Sequence, residues 1–95
     1  MTAPLHIAGA PRAGHGSAFE RRNPSDVRDV VAAGHAASAD DVAAAVDAAA
    51  SAVPGWRRAP GRAALLHAWG DAIAARSEEL AQLIAREVGK PIGEA

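Results

Sequence analysis

The residue types able to do chemistry in this chain are four histidines, eleven carboxylates and a set of glycines at Gly9, Gly14 and Gly16. A phosphate-cradling loop needs a lysine beside its last glycine, a strand leading in and a helix leading out. Here the lysine position is His15, and neither flanking element is legible. Gly14-His15-Gly16 also begins a dinucleotide fingerprint, yet Phe19 stands where the third glycine belongs, so the run reads as the flexible tip of a hairpin. His6, His15, His35 and His67 show no pair four residues apart and have no cysteine companions, which leaves them solvated or locally bonded rather than metal ligands. Asp40-Asp41 and Glu78-Glu79 read as charges at helix starts, against the positive end of the dipole, before they read as acid-base pairs. Arg21-Arg22 and Arg57-Arg58 read as solvated or paired with nearby acids. With no cysteine there is no disulfide, no thiolate zinc site and no cysteine nucleophile within these residues.

Composition narrows the classes further. The 95 residues carry a formal charge of −1, 3% aromatic residues and alanine as the dominant apolar type. Binding to nucleic acid or to a membrane surface draws on a surplus of Lys and Arg, so neither partner is expected. No apolar run approaches the ~20 residues of a membrane span, and the start lacks a basic region followed by an unbroken apolar core, which makes the cytoplasm the default location. A chain of this size buries only somewhat over ~60% of its unfolded surface. Alanine worsens that balance, since its methyl contributes about 0.8 kcal/mol against ~1.5 to 3 for Leu or Val. Alanine stripes suit close contact with a larger neighbour, so the chain reads as a piece of something larger or as a protein that needs a partner.

The elements that must position these residues fall into two regions. In residues 1–37, Leu5 and Ile7 alternate with His6, and Ala18-Phe19-Glu20-Arg21 is expected to pair with them across the Gly9 to Ser17 loop, a β-hairpin near residues 5–22. Asn23-Pro24-Ser25-Asp26 is a turn, and Val30-Val31-Ala33 predicts a strand near residues 28–35. From Ser38 to Lys90 the pattern is helical. Ser38 followed by Asp40-Asp41 predicts a capped start, and Val42, Val46, Ala49 and Val53 form a narrow apolar stripe over residues 39–53. Pro54-Gly55 should stop that helix, leaving Trp56 just past its end. A second helix near residues 61–76 has Leu66, Trp69 and Ile73 as its expected buried stripe, widened by Leu65 and Ala72. Trp56 and Trp69 read as core anchors. Ser77-Glu78-Glu79 looks like a new cap, starting a third helix near residues 78–88, lined by Leu80, Leu83, Ile84 and Val88 and closed by Gly89 as a left-handed cap.

Taken in order, Asn23-Pro24, the Val30-Val31 strand, Ser38-Ala39-Asp40-Asp41-Val42, Pro54-Gly55-Trp56-Arg57, Arg62-Ala63-Ala64-Leu65-Leu66, Glu78-Glu79-Leu80 and Glu87-Val88-Gly89-Lys90-Pro91 resemble the N-terminal segment of the NAD(P)-dependent aldehyde dehydrogenase superfamily. The resemblance runs from about Phe19 to Ala95. It implies an α/β parent fold in which these residues are a β-hairpin and strand (1–37), about three helices (38–90) and the start of a next helix (91–95), all belonging to the cofactor domain. It implies an enzyme that oxidises a small aldehyde to a carboxylic acid through a cysteine thiohemiacetal, hydride transfer to NAD or NADP, and thioester hydrolysis. In that family the cysteine, the glutamate base, the oxyanion asparagine and the cofactor-binding residues lie downstream of this region. The expectation is therefore a truncated piece, inactive alone, whose partner is the remainder of the dehydrogenase fold in a homo-oligomer. The turn Asn23 to Val31 is one residue longer than the commoner version and resembles the branch acting on 2-oxoglutarate semialdehyde. Some members of the family hold a monovalent cation through an acidic residue before Gly-Lys-Pro and backbone oxygens before Asn-Pro, which implies Glu87 and the neighbourhood of Arg21 here, with an ordinary helix-end glutamate as the other reading. A small non-catalytic helical interaction protein, docking through its apolar stripes, is the alternative to the enzyme.

Overall fold

The computed structural model describes residues 1–95. Four strands, β1 (Leu5–Ile7), β2 (Ala10–Arg12), β3 (Ala18–Asn23) and β4 (Asp26–His35), precede three helices, α1 (Ala39–Arg58), α2 (Arg62–Ala75) and α3 (Ser77–Val88), and a single 3-10 turn at Ile92–Glu94.

The strands form two hairpins rather than the one long-tipped hairpin expected. β1 turns straight back into β2 with Leu5 opposite Arg12 and Ile7 opposite Ala10. The two loop residues, Ala8 and Gly9, both have positive φ, 53° and 77°. That is the primed turn whose twist suits a two-residue hairpin, reached here with an alanine where Asn or Asp is usual. β3 is thereby free to pair with β4, through Asn23 opposite Asp26 and Ala18 opposite His35. The turn between them is set by the Asn23 side chain, whose Oδ1 accepts from the Ser25 N–H at 2.9 Å.

β4 is the centre of what core there is. Its far edge is covered by the first residues of the chain, Ala3 N–H donating to the Ala33 carbonyl at 2.9 Å and Ala33 N–H to Met1 at 3.0 Å. Successive residues of a strand face opposite ways, so the burial of both Val31, 2% exposed, and Ala32 means that both faces of β4 are covered. α3 lies against β3 and β4.

The helices begin and end largely as their caps dictate. Ser38 and Asp41 form a reciprocal capping box at the start of α1. Pro54 does not stop the helix as expected. It sits inside α1, which continues to Arg58 and closes with the Ala59 N–H on the Trp56 carbonyl at 3.2 Å, so Trp56 rides on the helix instead of following it. A proline removes one backbone bond and strains the turn before it, and here that loss does not outweigh the bonds on either side. A break between α2 and α3 is present as expected, but it falls at Arg76, one residue before the cap expected at Ser77, and Ser77 does not cap it. Ser77 is the first residue of α3, and no side chain caps that start; Arg76 instead reaches Glu79 at 2.9 and 2.6 Å. Gly89 closes α3 in the left-handed region, φ 73°, with its N–H on the Ala85 carbonyl.

Burial departs most from the sequence expectation. α1 sets Ala45 and Ala48 beside Ile7, and Val42 and Val46 line a groove with Leu5 and Ile7 but stay open to solvent, Val46 at 61% exposure. Every residue of α2 is exposed, so Leu66, Trp69 and Ile73 line no core in this chain, and Trp69, 65% exposed, and Trp56 are not core anchors. The body measures 47 × 33 × 15 Å with a radius of gyration of 16.7 Å, against about 12 Å for a compact chain of this length. It is a slab, with its largest apolar side chains on the outside.

Candidate functional site

Asp41 is the one buried polar side chain, 4% exposed, and its carboxylate is filled by four contacts. Oδ2 accepts from the Ser38 N–H at 2.9 Å, the Ser38 hydroxyl at 3.0 Å and the His15 N–H at 2.9 Å, while Oδ1 meets His15 Nδ1 at 2.8 Å. The Ser38 and His15 backbone N–H groups, then the His15 ring, hold its carboxyl well below the usual range. A Cβ on Gly14 would stand 2.3 Å from the Ala36 carbonyl oxygen, and one on Gly16 2.7 Å. Gly14-His15-Gly16 is therefore a clasp closed on the β4–α1 connection, not the tip of a hairpin. The flanking glycines were legible in the sequence; the bond between His15 and Asp41 was not, because the two lie 26 residues apart.

Serine, aspartate and histidine meet here, but in an order that does no nucleophilic chemistry. Asp41 stands between the other two: no bond joins the His15 ring to the Ser38 hydroxyl, and the carboxylate that accepts from that hydroxyl is held below its usual range, too weak a base to take the proton. The clasp does not suit a nucleotide phosphate either, since the space a pyrophosphate would need beside the glycines is filled by a carbonyl oxygen.

A second cluster fixes α3. Arg86 grips Asp29 of β4 through Nε at 3.0 Å and a terminal nitrogen at 2.6 Å, and Asn23 donates to the same carboxylate at 3.2 Å. Arg86, then Asn23, lowers the Asp29 carboxyl to about 2. Gly89, at the end of α3, rests on Pro24. The end of α3 that carries Glu87 is thus held at the Asn23-Pro24 turn of the strand that carries Arg21. Glu87 is exposed and in no ion pair, and no group of three or more His, Asp or Glu side chains is arranged to hold a metal ion. Glu78 and Asp40 stand in the first turns of their helices, as the sequence indicated.

The remaining feature is surface. Trp56, Leu65, Leu66, Ala68 and Trp69 line an apolar groove along α2. It adjoins a cleft at the α1–α2 junction, lined by Trp56, Leu66 and the guanidinium-bearing Arg57, Arg58 and Arg62. α2 is apolar nearly all round, the pattern of a helix enclosed by protein, and here none of it is enclosed. No helix is long and apolar enough to cross a membrane. This face turns its tryptophans, leucines and three guanidiniums to solvent.

Comparison with known proteins gives that face a context. The profile of the aldehyde dehydrogenase family matches residues 12–95. An N-succinylglutamate 5-semialdehyde dehydrogenase of Pseudomonas fluorescens is 42% identical over 93 residues, which are 96% of this chain and 19% of that protein. An alpha-ketoglutarate semialdehyde dehydrogenase of Haloferax volcanii is 40% identical over 82 residues, 84% of this chain and 17% of that protein. The crystal structure of an NAD-dependent aldehyde dehydrogenase from Sinorhizobium meliloti superposes with a TM-score of 0.90 at 37% identity, covering 99% of this chain and 20% of that one. The chain thus spans about a fifth of the length of the relatives it matches.

Proposed function

This chain belongs to the aldehyde dehydrogenase family, and from that premise we propose that it forms the N-terminal face of an enzyme that oxidises an aldehyde to a carboxylic acid with NAD or NADP. The observation that carries the reading is the pairing of a close structural match, TM-score 0.90 over 99% of the chain, with an apolar helix α2 that has no covered residue. Such a helix is stable against water only when the rest of the fold encloses it. The role of these residues is scaffold. The capping box and the Asp41 clasp hold α1, and the Asp29–Arg86 strut holds α3, while the reacting groups and cofactor cradle belong to the remaining fold.

The relatives named above act, by name, on semialdehydes of acidic compounds. We take 2-oxoglutarate semialdehyde as the substrate to test first, on the longer Asn23 to Val31 turn and the Haloferax volcanii relative, with N-succinylglutamate semialdehyde as the comparison. Glu87 is proposed as the carboxylate of a monovalent-cation site completed by backbone carbonyls near Arg21. Its exposed, unpaired carboxylate and the docking of α3 at that turn fit oxygen ligation of a hard cation.

The test joins this chain to the remainder of the Pseudomonas fluorescens relative, in place of that protein's own matching residues. The joined protein should reduce NAD+ or NADP+ with a semialdehyde, read as absorbance of the reduced cofactor, while the 95-residue chain, which has no cysteine, should not. A joined protein that folds and assembles but stays inactive would contradict the assignment.

A further inference from the structure

Three guanidiniums crowd the junction of α1 and α2. Arg57 and Arg58 occupy the last turn of α1, where a cation complements the dipole, but Arg62 is the first residue of α2, where a cation opposes it. The start of α2 has no acidic residue in its first turn, and its N-cap, Gly61, offers no side chain to the unpaired N–H groups. The five ion pairs of the chain involve other residues, so all three cations stand unneutralised around one cleft. An uncapped, wrongly signed helix start beside two more cations is a local conflict that these residues do not resolve among themselves, and functional or strained sites are where such conflicts are expected.

The cleft is also apolar on one side. Trp56 and Leu66 line both it and the groove that continues along α2 past Leu65 and Trp69. A body that covers α2 therefore closes the cleft as well. Arginine and tryptophan are the residue types that most often carry binding energy at interfaces, and the guanidinium fork matches a carboxylate with two parallel bonds. Three cations at one corner of a chain of net charge −1 make no track for a nucleic acid.

Resting on the reading of this chain as one face of a dehydrogenase, we propose that the corner of Trp56, Arg57, Arg58 and Arg62 receives an acidic segment of the remaining dehydrogenase fold, which places carboxylates on the guanidiniums and on the bare start of α2. The corner then acts as the charged end of an otherwise apolar interface and fixes the register in which α2 is covered.

Arg62→Glu separates this from a merely solvated patch, because the substitution has opposite signs in two settings. In the isolated chain it puts a carboxylate at the start of α2 and should raise the helix content seen by far-ultraviolet circular dichroism. In the joined protein it faces the acidic segment and should lower the melting temperature by several degrees, a loss that shrinks as salt is raised. Arg62→Lys keeps the charge and should cost less than Arg62→Glu in the joined protein. If Arg62→Glu leaves the melting temperature of an active joined protein unchanged or raises it, the corner proposal is overturned while the family reading stands. A joined protein that neither folds nor reduces cofactor with the corner intact removes the covering body, and the proposal falls with it. Salt-sensitive dimerisation of the isolated chain that Arg57→Glu abolishes would assign the corner to a second copy and overturn the proposal.

Discussion

Gly89 lies so close to Pro24 that a Cβ added to it would stand 2.9 Å from the proline Cγ, and its own backbone is left-handed at φ 73°. One glycine thus ends α3 and docks it on the β3–β4 turn. Gly89→Ala meets both costs, the left-handed conformation and the contact, and should destabilise the joined protein by on the order of 1–3 kcal/mol. Gly89→Asn, which tolerates the conformation better but keeps the contact, should recover only part of that. Denaturant midpoints of the three proteins check this, and equal midpoints would show that α3 is not held there.

The start of α1 offers a second substitution. The Ser38 hydroxyl accepts from the Asp41 N–H at 3.2 Å and donates to its carboxylate, so Ser38→Ala removes both contacts. The expected loss is about 1 kcal/mol, as for other N-caps. Gly14→Ala should cost at least as much, because its Cβ would be driven against the Ala36 carbonyl, which is backbone and cannot swing aside. A Gly14→Ala protein as stable as the parent would mean that the clasp is not closed in solution.

These caps were legible because they are local. Ser38, Asp41, the break near Arg76 and the left-handed Gly89 are each decided within a few residues, and the sequence placed them correctly apart from Ser77. Pairing across space was not legible. Nothing in the sequence shows that Ala8-Gly9 makes a tight turn, which sends Leu5–Ile7 to Ala10–Arg12 instead of Ala18–Arg21. Arg86 and Asp29, 57 residues apart, carry no sequence signal of their contact. The valine stripe of α1 is visible as periodicity, but periodicity says that a face will be covered and not by what. The fold family was legible because the order and spacing of many weak local signals together are specific.

Acid should loosen α3. Asp29 sits at about 2 in the folded chain against 3.8 for a free carboxyl. Its folded value is the lower one, so its contribution to stability is complete above the free value and drains away as pH falls from about 4 toward 2. Asp41 is shifted in the same direction, so its contribution too is lost as pH falls below the free value. Circular dichroism of the joined protein across that range should show a steeper loss than for Asp29→Asn, which begins less stable at neutral pH and has less to lose. Parallel acid curves for the two would contradict the strut.

The isolated chain should be poorly cooperative. With Ile7, Val31 and Ala32 as its buried apolar residues and Trp69 in water, it should melt broadly and bind a hydrophobic dye, and joining it to the remaining fold should sharpen the transition and abolish dye binding. A sharp melt from a dye-silent monomer would favour an independent small protein.

The central claim, that α1 and α2 present a face the rest of a dehydrogenase covers, is tested most directly at Trp69, which is 65% exposed in this chain. With Trp56→Phe leaving Trp69 as this chain's remaining indole, acrylamide quenching and the emission maximum can be read in the isolated chain and, against a Trp69→Phe control that subtracts any tryptophan of the remainder, in the joined protein. The account predicts ready quenching and long-wavelength emission in the isolated chain, and a quencher-protected, blue-shifted indole in the active joined protein. An active joined protein in which Trp69 stays as open to acrylamide as in the isolated chain would contradict it.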